Sequence, residues 1–185
     1  MPSNLHAQGY TREECVESGA CARTDEGRLI DSEGERLIIP IINHMDEVVA
    51  FGGRLLKNAD RAKYKNTRET VLFNKSKTLY NINLVKKEKR AGGPATLIMV
   101  EGYMDAISLY EAGFRGVVAS MGTSLTKEQA RLLRRYTENV FISYDGDFAG
   151  QKANLRGLDI LKQEGLKVRV VPLPEGFDPD DVIQK

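Results

Sequence analysis

From residue 96 onward, short apolar runs alternate with segments of helical spacing, and this alternation limits the fold more than any other feature of the chain. Thr96–Val100, Gly116–Ser120, Val140–Tyr144 and Val168–Val171 read as strands. Between them, Asp105–Ala112, Thr126–Tyr136 and Phe148–Glu164 carry helical periodicity, with Gly113 and Gly165 as stops. Thr126-Lys127-Glu128-Gln129 is a capping box that opens the second helix. Strands that are apolar throughout, each followed by a helix, predict a parallel sheet covered on both faces. Ligands of such sheets lie beyond the carboxyl ends of the strands.

Acidic residues gather at that edge. Glu101 directly follows the first strand, Asp145 and Asp147 follow the third, and Asp178 and Asp180 follow the fourth. Like charges delivered to one place by separate strands call for a cation. Hard carboxylate oxygens suit Mg²⁺ or Mn²⁺, and two such ions are the usual device for in-line phosphoryl displacement. Simpler roles compete. Asp-Gly-Asp is a common turn sequence, Asp178–Asp181 can be a polar turn, and Asp105 in a first helical turn suits the macrodipole. Asp145-Gly146-Asp147 also resembles the start of a calcium loop, but Ala149 and Arg156 occupy positions that need ligands. No Lys-containing phosphate loop is present, which disfavours ordinary nucleotide-hydrolase chemistry.

Before Ala91-Gly92-Gly93-Pro94, the clearest boundary, the pattern is different. Thr11-Arg12-Glu13-Glu14 is a capping box for a short helix ending near Gly19. Residues 22–36 are polar and turn-rich. Leu37–Ile42 and Val48–Phe51 form a hairpin ended by Gly52-Gly53, and Pro40 implies an edge or a strand end. The expected division is 1–94, a smaller α+β part, and 95–185, the α/β part.

The net charge of +1 conceals segregation. Residues 1–53 carry four Lys/Arg against ten Asp/Glu, and residues 54–90 carry twelve against three. This basic segment, read as having loop character, carries a net charge of +9 and predicts a polyanionic partner. Lys63-Tyr64-Lys65-Asn66 combines cations, an aromatic ring and an amide, which suits phosphate contacts with base stacking. Arg54 follows Gly52-Gly53, where backbone can approach a ligand closely. Lys86–Arg90 reads as a solvated linker or helix end. Cys15 and Cys21 lack the ligand pattern of a zinc site and are expected to be reduced thiols in or near a helix. No apolar run is long enough to span a bilayer and no signal peptide is evident, so a cytoplasmic location without membrane partners is expected.

The motifs carry a resemblance. Glu101 after the first strand and Asp145-x-Asp147 after the third resemble the TOPRIM signature of bacterial primases, topoisomerases and some nucleases. Glu101-Gly102-Tyr103-Met104-Asp105, Ala119-Ser120-Met121-Gly122-Thr123-Ser124, Tyr144-Asp145-Gly146-Asp147-x-Ala149-Gly150 and Asp178-Pro179-Asp180, in that order, resemble bacterial DnaG-type primases. Phe51-Gly52-Gly53-Arg54, Lys63-Tyr64-x-Asn66 and Phe73-x-Lys75-x-x-x-Leu79-Tyr80 resemble the basic motifs of the primase polymerase core. Ala62, Lys65, Ser76 and Asn81 depart from it, standing where the family has Pro, Leu, Gly and Gly.

The resemblance implies a TOPRIM-type parallel sheet preceded by a smaller basic α+β subdomain, and synthesis of RNA primers on single-stranded DNA from ribonucleoside triphosphates. It implies two or more Mg²⁺ or Mn²⁺ ions held by Glu101, Asp145, Asp147 and Asp180, with Asp178 and Asp105 in support and no zinc in this part. Arg54, Lys63, Tyr64, Asn66 and Lys75 would hold the template, the primer or the incoming nucleotide. The chain is then expected to be a monomeric piece of a longer enzyme, lacking a zinc module, the start of the core and a helicase-binding domain. A TOPRIM nuclease or topoisomerase-like enzyme, or a non-catalytic nucleic-acid-binding module, stand as alternatives.

Overall fold

The computed structural model describes residues 2–57, 62–122 and 124–184, with the backbone alone at 148–151. Thr123, in the Ala119–Ser124 motif, lies outside the described residues. The chain divides into two compact units, one formed by residues 1–41 and 48–74, the other by residues 42–47 and 75–185.

In the first unit, helices α1 (Pro2–Ala7) and α2 (Arg12–Glu17) precede a two-stranded antiparallel pair, β1 (Cys21–Arg23) and β2 (Leu29–Asp31). Thr11 caps α2 through the expected box with Glu14. Strands β3 (Arg36–Ile42), β4 (Val48–Leu55) and β5 (Tyr64–Asn66) form a second sheet in that order. Pro40 sits on edge strand β3, where its missing N–H costs no ladder bond.

Three local expectations are corrected here. Gly52-Gly53 does not end the strand: β4 runs on through Arg54, because β5 pairs with that stretch. Tyr64–Asn66 is a strand rather than loop, and residues 22–36 hold β1 and β2. Each depends on a pairing partner rather than on an apolar period. At Gly53, a Cβ would come within 2.6 Å of Glu33 Oε2 and 2.8 Å of Arg36 Cδ, so any other residue would displace those two side chains.

The second unit begins with a 3-10 turn (Lys75–Lys77) and α3 (Ile82–Arg90), whose C-terminal turn absorbs the basic run Lys86–Arg90. Asn81, where the resembled motif has Gly, adopts φ 67° at the start of α3, and its amide Nδ2 donates to the Val117 carbonyl. Asn is among the few side chains that tolerate this left-handed conformation. The hairpin tip, residues 42–47, belongs to this unit: Lys86 Nζ lies 2.8 Å from Asp46 Oδ2 and 2.8 Å from the His44 carbonyl.

The expected alternation follows as β6 (Thr96–Val100), α4 (Tyr103–Glu111), β7 (Val117–Ala119), α5 (Lys127–Arg134), β8 (Asn139–Ile142), α6 (Phe148–Gln163), β9 (Lys167–Val170) and α7 (Pro179–Gln184). The four strands form one parallel sheet of order β7-β6-β8-β9. Leu97, Met99, Val118, Val140 and Ile142 face a core closed by Ile82 and Val85 of α3, Ala130 and Leu133 of α5, and Leu161 of α6. Val100, Val117 and Ala119 face the other way, against Ala106 and Leu109 of α4. This sheet is therefore covered on both faces, as its uninterrupted apolar strands require. Tyr80 exchanges backbone hydrogen bonds with Ala119, which blunts the β7 edge.

Strand order and helix placement are one fact. The β6–β7 crossover runs to one side over the face of α4, and the next two run to the other side over the face of α5 and α6. Right-handed crossovers demand this exchange of faces when the direction reverses. The reversal lies between β6 and β8, where the loops leaving the two strands part to opposite faces and open a crevice. Among the described residues, no helix is long and apolar enough to cross a membrane.

Candidate metal centre and nucleic-acid interface

The crevice between β6 and β8 receives the acidic residues. Met99 pairs with Ile142, so the chains leave the sheet at the same height, and Ser143 N–H donates to the Met99 carbonyl at 2.9 Å. Glu101 follows β6 by one residue and Asp145 follows β8 by three. Met121 adopts φ 62°, a left-handed conformation with no local reason in a methionine, and its N–H donates to the Glu101 carbonyl at 2.9 Å. A strained residue thus holds the backbone of the first acid, a detail carried by no sequence signal except its place in the Ser120-Met121-Gly122 motif.

A third loop closes in from beyond β9. Gly146 N–H donates to the Phe177 carbonyl at 2.8 Å, tying the Asp145–Asp147 turn to the residue before Asp178. A Cβ at Gly146 would lie 2.1 Å from the Pro174 carbonyl oxygen, so the middle residue of Asp-Gly-Asp is glycine for want of space. Asp178 caps α7 reciprocally: Asp181 N–H donates to Asp178 Oδ1 at 2.7 Å, and Asp178 N–H to Asp181 Oδ2 at 3.2 Å. In the first turn of α7, Asp180 Oδ1 accepts from Ser108 Oγ at 2.5 Å and from Gln184 Nε2 at 2.6 Å. Asp105 does what its helical position suggests, accepting the Gly102 N–H at 3.2 Å. The local structural roles weighed for Asp105 and Asp178 are therefore real, and both residues still lie on the acidic edge.

The carboxylates sense one another. Burial raises Glu101 above the usual carboxylate range, with Asp145 and Asp147 adding repulsion. Asp145 is raised by burial and then by Asp178, Asp147 and Asp181. Asp105 is pushed up to about 7 by burial, Asp178, Asp145 and Asp180, against the Gly102 hydrogen bond. Buried Tyr144 is raised as well, by burial and by Glu101. Among the described residues, no Lys or Arg stands among the leading causes for Glu101, Asp105 or Asp145.

Buried and half-buried acids whose leading influences are burial and one another have the chemistry of a divalent-metal donor set. Among the described residues, no three His, Cys, Asp or Glu side chains converge as a closed ligand group. Mg²⁺ tolerates this, because it keeps several waters and takes one or two protein carboxylates with the rest from phosphate. The donor set therefore fits Mg²⁺ or Mn²⁺, with pairs drawn from Glu101, Asp145, Asp147, Asp178 and Asp180.

The basic candidates occupy β4 and β5 of the first unit. Arg54 and Tyr64 are directly paired across the strands, and the Arg54 guanidinium carbon lies 5.9 Å from the centre of the exposed Tyr64 ring. Lys63 Nζ lies 5.4 Å from the same ring. Asn66 is two residues further along β5 and shares the face of Tyr64. Lys65 points to the other face, where its ammonium reaches the Ser32 carbonyl and lies 3.4 Å from Glu33 Oε1. Thus Arg54, Lys63 and Tyr64 form one cluster with Asn66 beside them. Lys75 stands on the 3-10 turn of the second unit.

Two supporting residues escaped the sequence reading. The Arg36 side chain is 5% exposed and donates to the carbonyls of Gly53, Ala62 and Lys63, so it fixes the backbone on either side of the basic cluster. Gln129 is fully buried; it completes the α5 capping box with Thr126 and donates to the carbonyls of Lys75 and Thr78, both at 2.9 Å. Nothing in a capping-box glutamine announces that its amide also anchors the turn bearing Lys75.

Similarity to known proteins agrees with both halves. Residues 1–86 match the family model described as the DNA primase catalytic core, N-terminal domain, and residues 98–183 match the one described as Toprim-like. A DNA primase of Clostridium acetobutylicum is 43% identical over 183 residues, which are 99% of this chain and 30% of that protein. One from Halalkalibacterium halodurans is 45% identical over 163 residues, covering 88% of this chain and 27% of the relative. The chain thus spans about a third or less of these relatives. The Escherichia coli primase catalytic core superposes with a TM-score of 0.86 at 36% identity, over 97% of this chain and 58% of that one. A DnaG primase catalytic domain bound to single-stranded DNA gives 0.86 and 36%, over 97% and 57%. With a parallel sheet whose switch point is lined by carboxylates and a basic sheet ahead of it in sequence, the chain belongs to the bacterial DnaG-type DNA primase family, in the part that corresponds to the catalytic core.

Proposed function

We propose that this chain is the nucleotidyl-transfer core of a primase that makes short RNA primers on single-stranded DNA from ribonucleoside triphosphates. The observation that carries the reading is the group of mutually repelling, half-buried carboxylates around the switch point of the parallel sheet. In this reading residues 95–185 form the catalytic part and residues 1–94 the nucleic-acid-binding part. Glu101, Asp145, Asp147 and Asp180 hold two or more Mg²⁺ or Mn²⁺ ions, with Asp178 and Asp105 setting their geometry. When bound, such ions supply Lewis-acid stabilisation of charge on the attacking 3′ oxygen and the departing pyrophosphate.

The chain's own residues do the rest. Tyr64 offers a face for a base, Arg54 and Lys63 beside its ring neutralise phosphates, and Asn66 and Lys75 add polar contacts to the template, the primer or the nucleotide. The enzyme works in the cytoplasm, with a replicative helicase as partner through a region outside this chain. Support for a nucleic-acid substrate comes from the related domain solved with single-stranded DNA.

The test replaces the matching segment of the Clostridium acetobutylicum primase with residues 1–185 and supplies single-stranded DNA and labelled ribonucleotides. The chimera is expected to make short oligoribonucleotides, and Asp145→Asn with Asp147→Asn to abolish them. Strand cleavage without oligoribonucleotides would favour a nuclease and sink the proposal. Mn²⁺ added to the 185-residue chain should broaden NMR signals around Glu101, Asp145, Asp147 and Asp180. Broadening elsewhere would overturn the residue assignments, and none at all would favour a non-catalytic nucleic-acid-binding module.

A further inference from the structure

The two cysteines have no part in that chemistry, yet the fold brings them together. Cys15 lies in the last turn of α2 and Cys21 opens β1. Only five residues separate them, and the chain reverses between them. Ser18 ends the helix, Gly19 turns it back at φ 78°, and Ala20 N–H donates to Ser18 Oγ at 3.4 Å. The turn cannot relax with another residue at its centre, because a Cβ on Gly19 would lie 2.5 Å from Thr67 Cγ2. Helix α2 packs on β1, and Cys15 is among the groups that act on the Cys21 thiol. Both are free and buried, Cys15 at 4% and Cys21 at 2% exposure.

Their surroundings differ. Cys15 lines an apolar cleft of about 550 Å³ with Leu5, Tyr10, Phe51 and Leu72. Cys21 lines a second cleft of about 410 Å³ with Arg23, Lys65 and Arg68. Each cysteine therefore borders a cleft that a small oxidant can enter, and the other lies just across the tight turn. Proximity of this kind converts a slow encounter into an intramolecular capture.

We infer that Cys15 and Cys21 form an oxidisable dithiol, which a hydroperoxide closes to an intrachain disulfide between α2 and β1. The first sulfur, as thiolate, attacks a peroxide oxygen, giving a sulfenic acid and, with one proton, water. The second sulfur attacks the first and displaces the hydroxyl, which leaves as water with the second thiol's proton. The two sulfurs together give up two electrons, and one hydrogen peroxide becomes two waters. Burial first, and then Cys15, raise the Cys21 thiol, which disfavours it as the first attacker and leaves it the second step. The reaction is independent of the primase reading, since it uses neither the acids nor the basic cluster.

Cleavage after Arg12 and Arg23 releases both cysteines on the single peptide 13–23, so the experiment needs no variant. The folded 185-residue chain is treated with hydrogen peroxide, quenched in acid, alkylated and digested with trypsin. The peptide is expected to be unalkylated and lighter by about two mass units, the two hydrogens lost on closure, and to be restored by dithiothreitol. In Cys21→Ser, the Cys15 sulfenic acid should persist and be trapped by dimedone. Stable sulfinic acid on one cysteine, disulfide-linked dimers, or closure in urea but not in the folded chain would each overturn the inference.

Discussion

Replacing Asp105 by Asn isolates the energetic cost of gathering carboxylates at the sheet edge. Asp105 is 8% exposed and is held at about 7, against an ordinary value of 3.8. At about 1.4 kcal/mol per unit, ionising it in the folded chain costs up to about 4 kcal/mol, and partial solvent screening brings this nearer 2 kcal/mol. The sign follows from proton counting. With the folded value raised, the native state binds more protons than the unfolded chain between about pH 4 and pH 7, so stability falls as pH rises through that window. The asparagine keeps an acceptor for the Gly102 N–H and carries no charge. Urea unfolding in the presence of a chelator, at pH 4.5 and pH 8, reads the difference. Asp105→Asn should lie within about 1 kcal/mol of the parent at about pH 4.5 and exceed it by about 2–4 kcal/mol at about pH 8, with the same m-value. Glu101 and Asp145 are raised in the same direction and remain in both proteins, so their contribution cancels to first order. A variant that is less stable at pH 8, or that stays parallel to the parent across the range, would refute the argument that unscreened repulsion acts on Asp105.

Gly146→Ala should destabilise the chain by about 2–3 kcal/mol, because the new Cβ meets the Pro174 carbonyl rather than a movable side chain. NMR shifts at Asp145 and Phe177 would report the displaced turn. Gln129→Leu strands the carbonyls of Lys75 and Thr78, with an expected loss of about 2–4 kcal/mol in denaturant unfolding. If β5 contacts nucleic acid, Tyr64→Ala should weaken single-stranded DNA binding by about 1–3 kcal/mol. Lys63→Ala should instead lower the slope of log affinity against log salt by about 1, and titrations at several salt concentrations separate the two.

What was legible in the sequence divides along a physical line. The four-stranded sheet, its helices and the Thr11 and Thr126 caps are written in local patterns, and they stand as read. The placement of Glu101 and Asp145 at one edge follows from the same alternation, since parallel strands end together. Strand β5 is short and polar, with no period of its own; it exists because β4 offers it a partner. Arg36 and Gln129 look like surface residues in sequence, and only the carbonyls that fold around them make them interior anchors. Asn81 and Met121 are left-handed without a glycine to mark the turn.

The hairpin tip has a consequence for anyone dissecting the molecule. Residues 42–47 pack with the second unit, where Asp46 and the His44 carbonyl receive Lys86 of α3. The smallest self-sufficient piece bearing the acidic edge is therefore not a contiguous stretch of gene. A cut at residue 74 discards the tip and leaves the Lys86 ammonium, one-fifth exposed, without its counter-charge. Excising the unit intact requires splicing the tip back through a designed linker.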